Sequence, residues 1–203
     1  MNGLELNSVK TTVNTLQSKK LVYQAANNSS LVFISFDVKI VPSFLDYLRG
    51  GWAISMVCAI DYTASNGNPS SPTSLHYLGP DNQYERAIYM VGGILEPYDL
   101  DKSFPVFGFG GIPRHMGINA VNHCFPLNGN PQSPEIFGIE QIVMQYRATL
   151  PNIGLGGPTL FAPLLSQFLQ YVKGLGNSTV YNVMLLLTDG IINDMPETIR
   201  LIV

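Results

Sequence analysis

A chain of 203 residues, 46% hydrophobic and only 12% charged, is long enough for one sizeable domain, or a domain plus a fragment, folded around a real core. Its formal net charge of −3, with no cluster of Lys and Arg beyond Lys19-Lys20, gives no electrostatic case for nucleic acid. The sequence shows no apolar run of the about 18 residues a membrane span needs, no signal-peptide pattern at the N-terminus, and only two cysteines, Cys58 and Cys124, so a reduced, cytoplasmic setting is expected.

Residues 1–30 are polar, rich in Asn, Ser and Thr, and read as loop. Val32, Ile34, Phe36, Val38 and Ile40 then alternate with other residues at the period of a half-buried strand, which Pro42 stops. Ser43 to Leu48 leads to Gly50-Gly51, a breaker pair that sets the expected domain boundary, 1–50 against 51–203. The run Trp52 to Ile60 is apolar on both faces apart from Ser55, the pattern of a central strand covered by helices on both sides. Residues 66–81 carry Pro, Ser and Asn and read as loop. Between Tyr84 and Tyr98 the apolar spacing is helical, although Gly92-Gly93 weakens the propensity by about 1 kcal/mol per glycine.

A second strand, Phe104 to Phe109, ends in Gly110-Gly111, and 112–134 is irregular with a short strand or hairpin around His123 to Leu127. Ile136, Ile139, Ile142, Val143, Tyr146 and Leu150 share one helical face. A glycine-rich loop, Gly154 to Pro158, leads to Thr159. Phe161, Leu164, Leu165, Phe168, Leu169 and Val172 mark the next helix, and Val183 to Thr188 is another two-sided apolar strand, ending at Asp189-Gly190. Asp194 with Glu197 three residues on reads as the capping box of a last helix.

Such alternation predicts an α/β fold with a mostly parallel sheet, in which ligands sit at the carboxyl ends of strands. Three polar breaks meet that description or begin a helix: Asp61-x-Thr63-x-Ser65, Thr159 and Asp189. Closely spaced oxygen donors with few full charges suit a hard divalent cation. A bare D-x-T-x-S is also an ordinary polar turn after a strand, and spacing alone leaves both readings open.

Asp61, Thr63, Ser65, Thr159 and Asp189 form D-x-[ST]-x-S…T…D, which resembles the metal-ion-dependent adhesion site (MIDAS) of von Willebrand factor type A domains. Longer strings narrow the match. Asp61-Tyr62-Thr63-Ala64-Ser65-Asn66-Gly67-Asn68-Pro69, Ser74-Leu75-His76-Tyr77, Tyr98-Asp99-Leu100-Asp101-Lys102, Phe107-Gly108-Phe109-Gly110 and Gly157-Pro158-Thr159 resemble the copine family. So do Phe125-Pro126-Leu127-Asn128-Gly129-Asn130-Pro131 and Leu187-Thr188-Asp189-Gly190. The resemblance implies a Rossmann-like A domain over 51–203, preceded by the last strand of a calcium- and phospholipid-binding C2 domain and a linker over 1–50. It implies Mg²⁺ or Mn²⁺ on the five residues, with one open position that a partner protein's acidic side chain fills. Ca²⁺ would act only through C2 domains whose aspartate-bearing loops this sequence does not contain, and no catalytic residue is implied. The implied role is an adaptor in signalling or membrane trafficking, cytoplasmic with calcium-dependent recruitment to the plasma membrane and its phospholipids.

The same resemblance has A domains continuing with further strands and helices after the Thr-Asp-Gly turn, so the domain reads as incomplete at its C-terminus. The Val183–Thr188 strand would then be a long apolar sheet edge, and the chain is expected to be poorly soluble or partner-dependent. Two other readings stay open: the related A domain of RING-bearing ubiquitin ligases, although no Cys/His zinc spacing occurs here, and an inactive fragment. His76, His115 and His123 are scattered without ligand spacing and read as structural or solvent-facing. Ser65 lacks a nucleophile elbow, and Gly154 to Gly157 lacks the Lys-Ser/Thr end of a phosphate loop.

Overall fold

The computed structural model describes residues 41–80, 82–176 and 179–203, together with the backbone pairing of two short upstream strands. The chain divides into two compact units, Met1–Tyr47 and Leu48–Val203. In the first, β1 (Val22–Gln24) pairs antiparallel with β2 (Ser30–Val32). The expected alternating strand through Ile40 lies outside the described residues from position 33 on, as does most of the expected loop over 1–30. The segment read as a linker holds a helix, α1 (Phe44–Arg49). Ser43 and Asp46 build its start: Ser43 donates N–H and O–H to Asp46 Oδ2 at 2.9 and 2.7 Å, and Asp46 N–H donates to Ser43 Oγ at 3.3 Å.

The second unit is organised on β3 (Ala53–Asp61). It pairs in parallel with β4 (Ser103–Phe109) on one side and with β9 (Val180–Leu187) on the other. The far edge of β4 takes two short antiparallel partners, β6 (Phe125–Pro126) and β7 (Glu135–Phe137). The sheet is therefore mixed, with its long ladders parallel and its short ones antiparallel. A separate antiparallel pair, β5 (Gly111–Pro113) with β8 (Ile153–Leu155), closes one corner. The helices are α2 (Gln83–Leu95), α3 (Ile139–Thr149), α4 (Ala162–Gly174) and α5 (Met195–Ile202).

The period of two in β3 separates two cores. Met56, Cys58, Ile60 and Tyr62 join Tyr84 and Ile88 of α2 and Ile142, Val143 and Tyr146 of α3, while Val57 and Ala59 join Phe107, Phe109, Phe161 and Leu164. Met56 to Ile60 are buried on both faces, as their continuous apolar run predicts. The same run makes the strand a rigid platform for the residue that ends it, Asp61.

Two sequence expectations are corrected. Ile136 shares the helical phase of Ile139 and Ile142, but it lies in β7, where Phe104 pairs with it; α3 starts after Gly138, whose φ of +75° turns the chain out of the sheet. Ile153 to Leu155, partly assigned to a loop, is strand β8. Gly92, costly for helix propensity, has a packing reason: a Cβ there would come 2.5 Å from Ile139 Cδ1, so the glycine lets α2 approach α3. On β9 the edge away from β3 carries no partner strand among the described residues. No helix among them is long and apolar enough to cross a membrane.

Candidate functional site

The parallel register pairs Ile60 with Leu187, so Asp61 and Thr188 leave the sheet side by side at its carboxyl rim. The Asp61 carboxylate is fully buried. Its Oδ1 accepts the Thr63 N–H at 2.8 Å and its Oδ2 accepts the Thr188 hydroxyl at 2.8 Å. Both oxygens of a buried charge are thus held, which is what keeps such a group affordable inside a protein.

After Asp61 the chain makes a one-turn 3-10 helix, Ala64–Asn66. Thr63 Oγ1 lies 3.0 Å from Ser65 Oγ. Asn66 Nδ2 donates to both the hydroxyl and the carbonyl of Thr63 at 3.1 Å, and Asn66 Oδ1 accepts the Tyr84 hydroxyl of α2. Thr63 is buried whereas Ser65 faces solvent. The glycine-rich segment is stitched to this turn through Gly156, whose N–H donates to Tyr62 O at 3.1 Å and whose carbonyl accepts Ala64 N–H at 2.8 Å. Gly110, at φ +72°, lies underneath; a Cβ there would fall far inside van der Waals contact with Thr63 Cγ2.

Thr159 is buried and bound to the loop that follows β9. Its N–H donates to Asn193 Oδ1 at 2.8 Å, and its carbonyl accepts Asn193 N–H at 2.9 Å. One residue on from Thr188, Asp189 is half-buried, and its Oδ1 is buried without a hydrogen-bond partner. The structure therefore joins Asp61, Thr63 and Ser65 by direct hydrogen bonds. Asp189 reaches them through its neighbour Thr188, and Thr159 through the 188–193 loop. Among the described residues no hydrogen bond links the Thr159 or Asp189 side chain to the other three.

Asp194 corrects a third expectation. Its carboxylate makes no cap bond to its own helix, α5. Instead it accepts the N–H groups of Phe161 and Ala162 at 2.9 and 2.8 Å and so closes the N-terminus of α4. Thr198 donates its hydroxyl to Asp194 Oδ1 at 3.2 Å, and Glu197 pairs with Arg200 rather than completing a box.

Behind the rim stands His76, fully buried and stacked on Tyr62 at 5.0 Å. Its Nε2 lies 2.8 Å from the Asp61 carbonyl, which only accepts, so Nε2 carries the proton. Nδ1 then accepts the Tyr146 hydroxyl at 2.8 Å, and Tyr146 in turn accepts from Asn82 Nδ2 at 3.1 Å. Burial lowers the His76 pKa to about 4, opposed by the Asp61 carbonyl and by the charge of Asp189. The Tyr84 phenol is pushed up by burial first, then by Asp61 and Asp189, so both carboxylates act on one ring.

Sequence reasoning missed Thr188, Asn193 and Gly110 as supports of the rim. Only their place beside Asp189, Asp194 and Gly111 could have signalled them. Burial pushes the Cys58 thiol up to about 12 and the Cys124 thiol up to about 11, away from the range of reactive thiolates. Among the described residues no group of three or more His, Cys, Asp or Glu is arranged to hold a metal. The rim instead gathers two carboxylates and neutral hydroxyls, a hard all-oxygen donor set, with one buried carboxylate oxygen left without a partner. That set fits a hard divalent cation better than zinc.

A family model for copines matches residues 74–203. Thr159 and Asp189 lie within the match, as do His76, Tyr146 and the cap formed by Asp194; Asp61, Thr63 and Ser65 precede it. With more than half of its length matched, and with an α/β unit built on a mixed, largely parallel sheet, the chain belongs to the copine family.

Proposed function

We propose that the protein is a non-catalytic, copine-like adaptor whose unit of von Willebrand factor A type binds partner proteins through a divalent ion. Asp61, Thr63, Ser65, Thr159 and Asp189 would hold Mg²⁺ or Mn²⁺. When bound, the ion supplies an electrophilic position that an acidic side chain of a cytosolic or membrane-associated partner can fill. Calcium-dependent phospholipid binding, in signalling or trafficking at the plasma membrane, would belong to C2 domains of the same protein.

The observation that carries this reading is the partnerless, buried Asp189 Oδ1 beside a satisfied Asp61. The Thr63 and Ser65 hydroxyls, spaced as hydrogen-bonded hydroxyls are, also accommodate such an ion. Adjacent ligands of an octahedral ion with bonds of about 2.0–2.1 Å lie about 2.9 Å apart, and Thr63 Oγ1 and Ser65 Oγ are 3.0 Å apart. The residues do the rest: Asn66 and Gly110 fix the Thr63 rotamer, Thr188 turns the Asp61 carboxylate, and the Asn193 clasp sets Thr159.

Isothermal titration with MgCl₂ and MnCl₂ tests the reading. Saturable binding is expected for the wild type, weakened at least tenfold in Asp189→Asn and in Ser65→Ala, whose exposed hydroxyl can be removed without disturbing the core. Absence of binding by folded wild type overturns it.

A further inference from the structure

The opposite rim of the sheet, where β3 and β9 begin, holds a second polar cluster with no part in the site above. A cavity of about 160 Å³ opens there, with Ile54, Leu100 and Leu175 as apolar walls and Ser55, Asp99, Asp101 and Tyr171 as polar ones. Asp99 is 8% exposed, yet only half of its carboxylate is used. Oδ1 accepts the N–H groups of Asp101 and Lys102 at 3.2 and 2.9 Å, holding Lys102 at a φ of +54°, while Oδ2 is buried with no partner. Asp101 Oδ1 accepts Ser103 N–H at 2.9 Å. Among the described residues no Lys, Arg or His forms an ion pair with Asp99 or Asp101.

The electrostatics agree with this geometry. Burial first, then the Asp101 carboxyl, pushes the Asp99 carboxyl up. The Tyr171 phenol is raised by burial and then by Glu135, Asp101 and Asp99. Both shifts favour the neutral acids while the cavity is empty, and a cation seated between Asp99 and Asp101 would favour their charged forms. Two features decide which cation. Only two carboxyls line the cavity, and Asp99 Oδ1 is already taken by two backbone N–H groups. Part of the wall is apolar, which a hydrated ion does not use and an alkyl chain does. At about 160 Å³ the cavity is many times what one water needs, and it admits a short alkyl chain ending in nitrogen.

We propose that this cavity is a binding site for a primary alkylammonium group, with the nitrogen between Asp99 and Asp101 and the chain along Ile54, Leu100 and Leu175. A lysine side chain of a partner protein and a free aliphatic amine share that chemistry.

The test titrates the ¹⁵N-labelled full chain with n-butylammonium chloride, with Nα-acetyl-lysine N-methylamide, and with the uncharged Nα-acetyl-norleucine N-methylamide. Saturable shifts of the Ser55, Leu100 and Val180 amides are expected with the two cations and not with the norleucine analogue. Tighter binding of the lysine analogue than of butylammonium assigns the site to protein lysines; the reverse assigns it to free amines. Asp99→Asn keeps the Oδ1 acceptor and is expected to weaken binding at least tenfold with an unchanged melting temperature. Asp101→Asn, on the exposed side, serves as a second variant should Asp99→Asn fail to fold. Equal binding of the norleucine analogue, undiminished binding by both variants, no saturable shift, or saturable shifts of the same amides by MgCl₂ or CaCl₂ would each overturn the proposal.

Discussion

His76 donates its Nε2 proton to the Asp61 carbonyl while its Nδ1 accepts the Tyr146 hydroxyl, both at 2.8 Å, so the ring fits its place only when neutral. The folded pKa of about 4 lies below the ordinary 6.5, and between these values the unfolded chain binds more protons. The contribution is therefore complete above about pH 6.5 and is lost as pH falls towards 4, by about 3 kcal/mol at 1.36 kcal/mol per pKa unit. Urea denaturation of metal-free protein between pH 4 and 8 measures it. His76→Gln, which cannot titrate there, should lose most of that slope.

Gly110→Ala addresses the platform under Thr63. The new methyl meets Thr63 Cγ2 at a φ of +72°, where alanine is itself strained, so a loss of about 1–3 kcal/mol is expected. Thermal melts report the stability. Because the displaced residue is a candidate ligand, titration with MnCl₂ should show weaker binding in the protein that remains folded.

Asp194→Ala removes the acceptor of two backbone N–H groups on another helix. A cost of about 2 kcal/mol is expected, the upper end for a lost cap, because the bonds are charge-assisted. Asp194→Asn, which keeps one acceptor, should cost about half as much. Guanidinium titration ranks the three proteins.

Arg147 of α3 donates from Nη2 to Glu85 Oε2 of α2 at 2.7 Å, and its Nε stands 2.6 Å from Oε1 in the same ion pair. The Glu85 side chain is 10% exposed and that of Arg147 44%, so the two truncations are unequal. Arg147→Ala leaves a buried carboxylate alone and should cost about 1–2 kcal/mol; Glu85→Gln frees a charge that water can solvate and should cost less. Chemical denaturation at low and moderate salt separates them.

The sheet was legible because its strands advertise themselves. Trp52 to Ile60 and Val183 to Thr188 are apolar on both faces, and helical spacing marked α2, α3 and α4 closely. Of the short strands, β6 falls within the strand or hairpin expected around His123 to Leu127, while β5, β7 and β8 were hidden. β5 and β8 contain Gly111 and Gly154, whose lack of side chains hides a period of two, and Ile136 happens to be in phase with the helix that follows it. Helix α1 buries no side chain, so no apolar stripe announced it. At the site, the breaks at Asp61, Thr159 and Asp189 were visible one at a time. The bonds that relate them, from Thr188 to Asp61 and from Asn193 to Thr159, span 127 and 34 residues and leave no local trace. Asp194 shows the limit most plainly. Its sequence neighbours offered a helix to cap, and the fold gave its carboxylate a different one.

That misplaced cap has a mechanical consequence. The strap from Thr188 to Asp194 grips Asp61 at one end and the first turn of α4 at the other, with Asn193 clasped to Thr159 between them. Neither end of the strap can swing without pulling a helix or a buried carboxylate with it. A load on Asp189 therefore reaches the first turn of α4, and the amides of Thr159, Phe161, Ala162 and Asn193 should open to solvent in one event with a single rate.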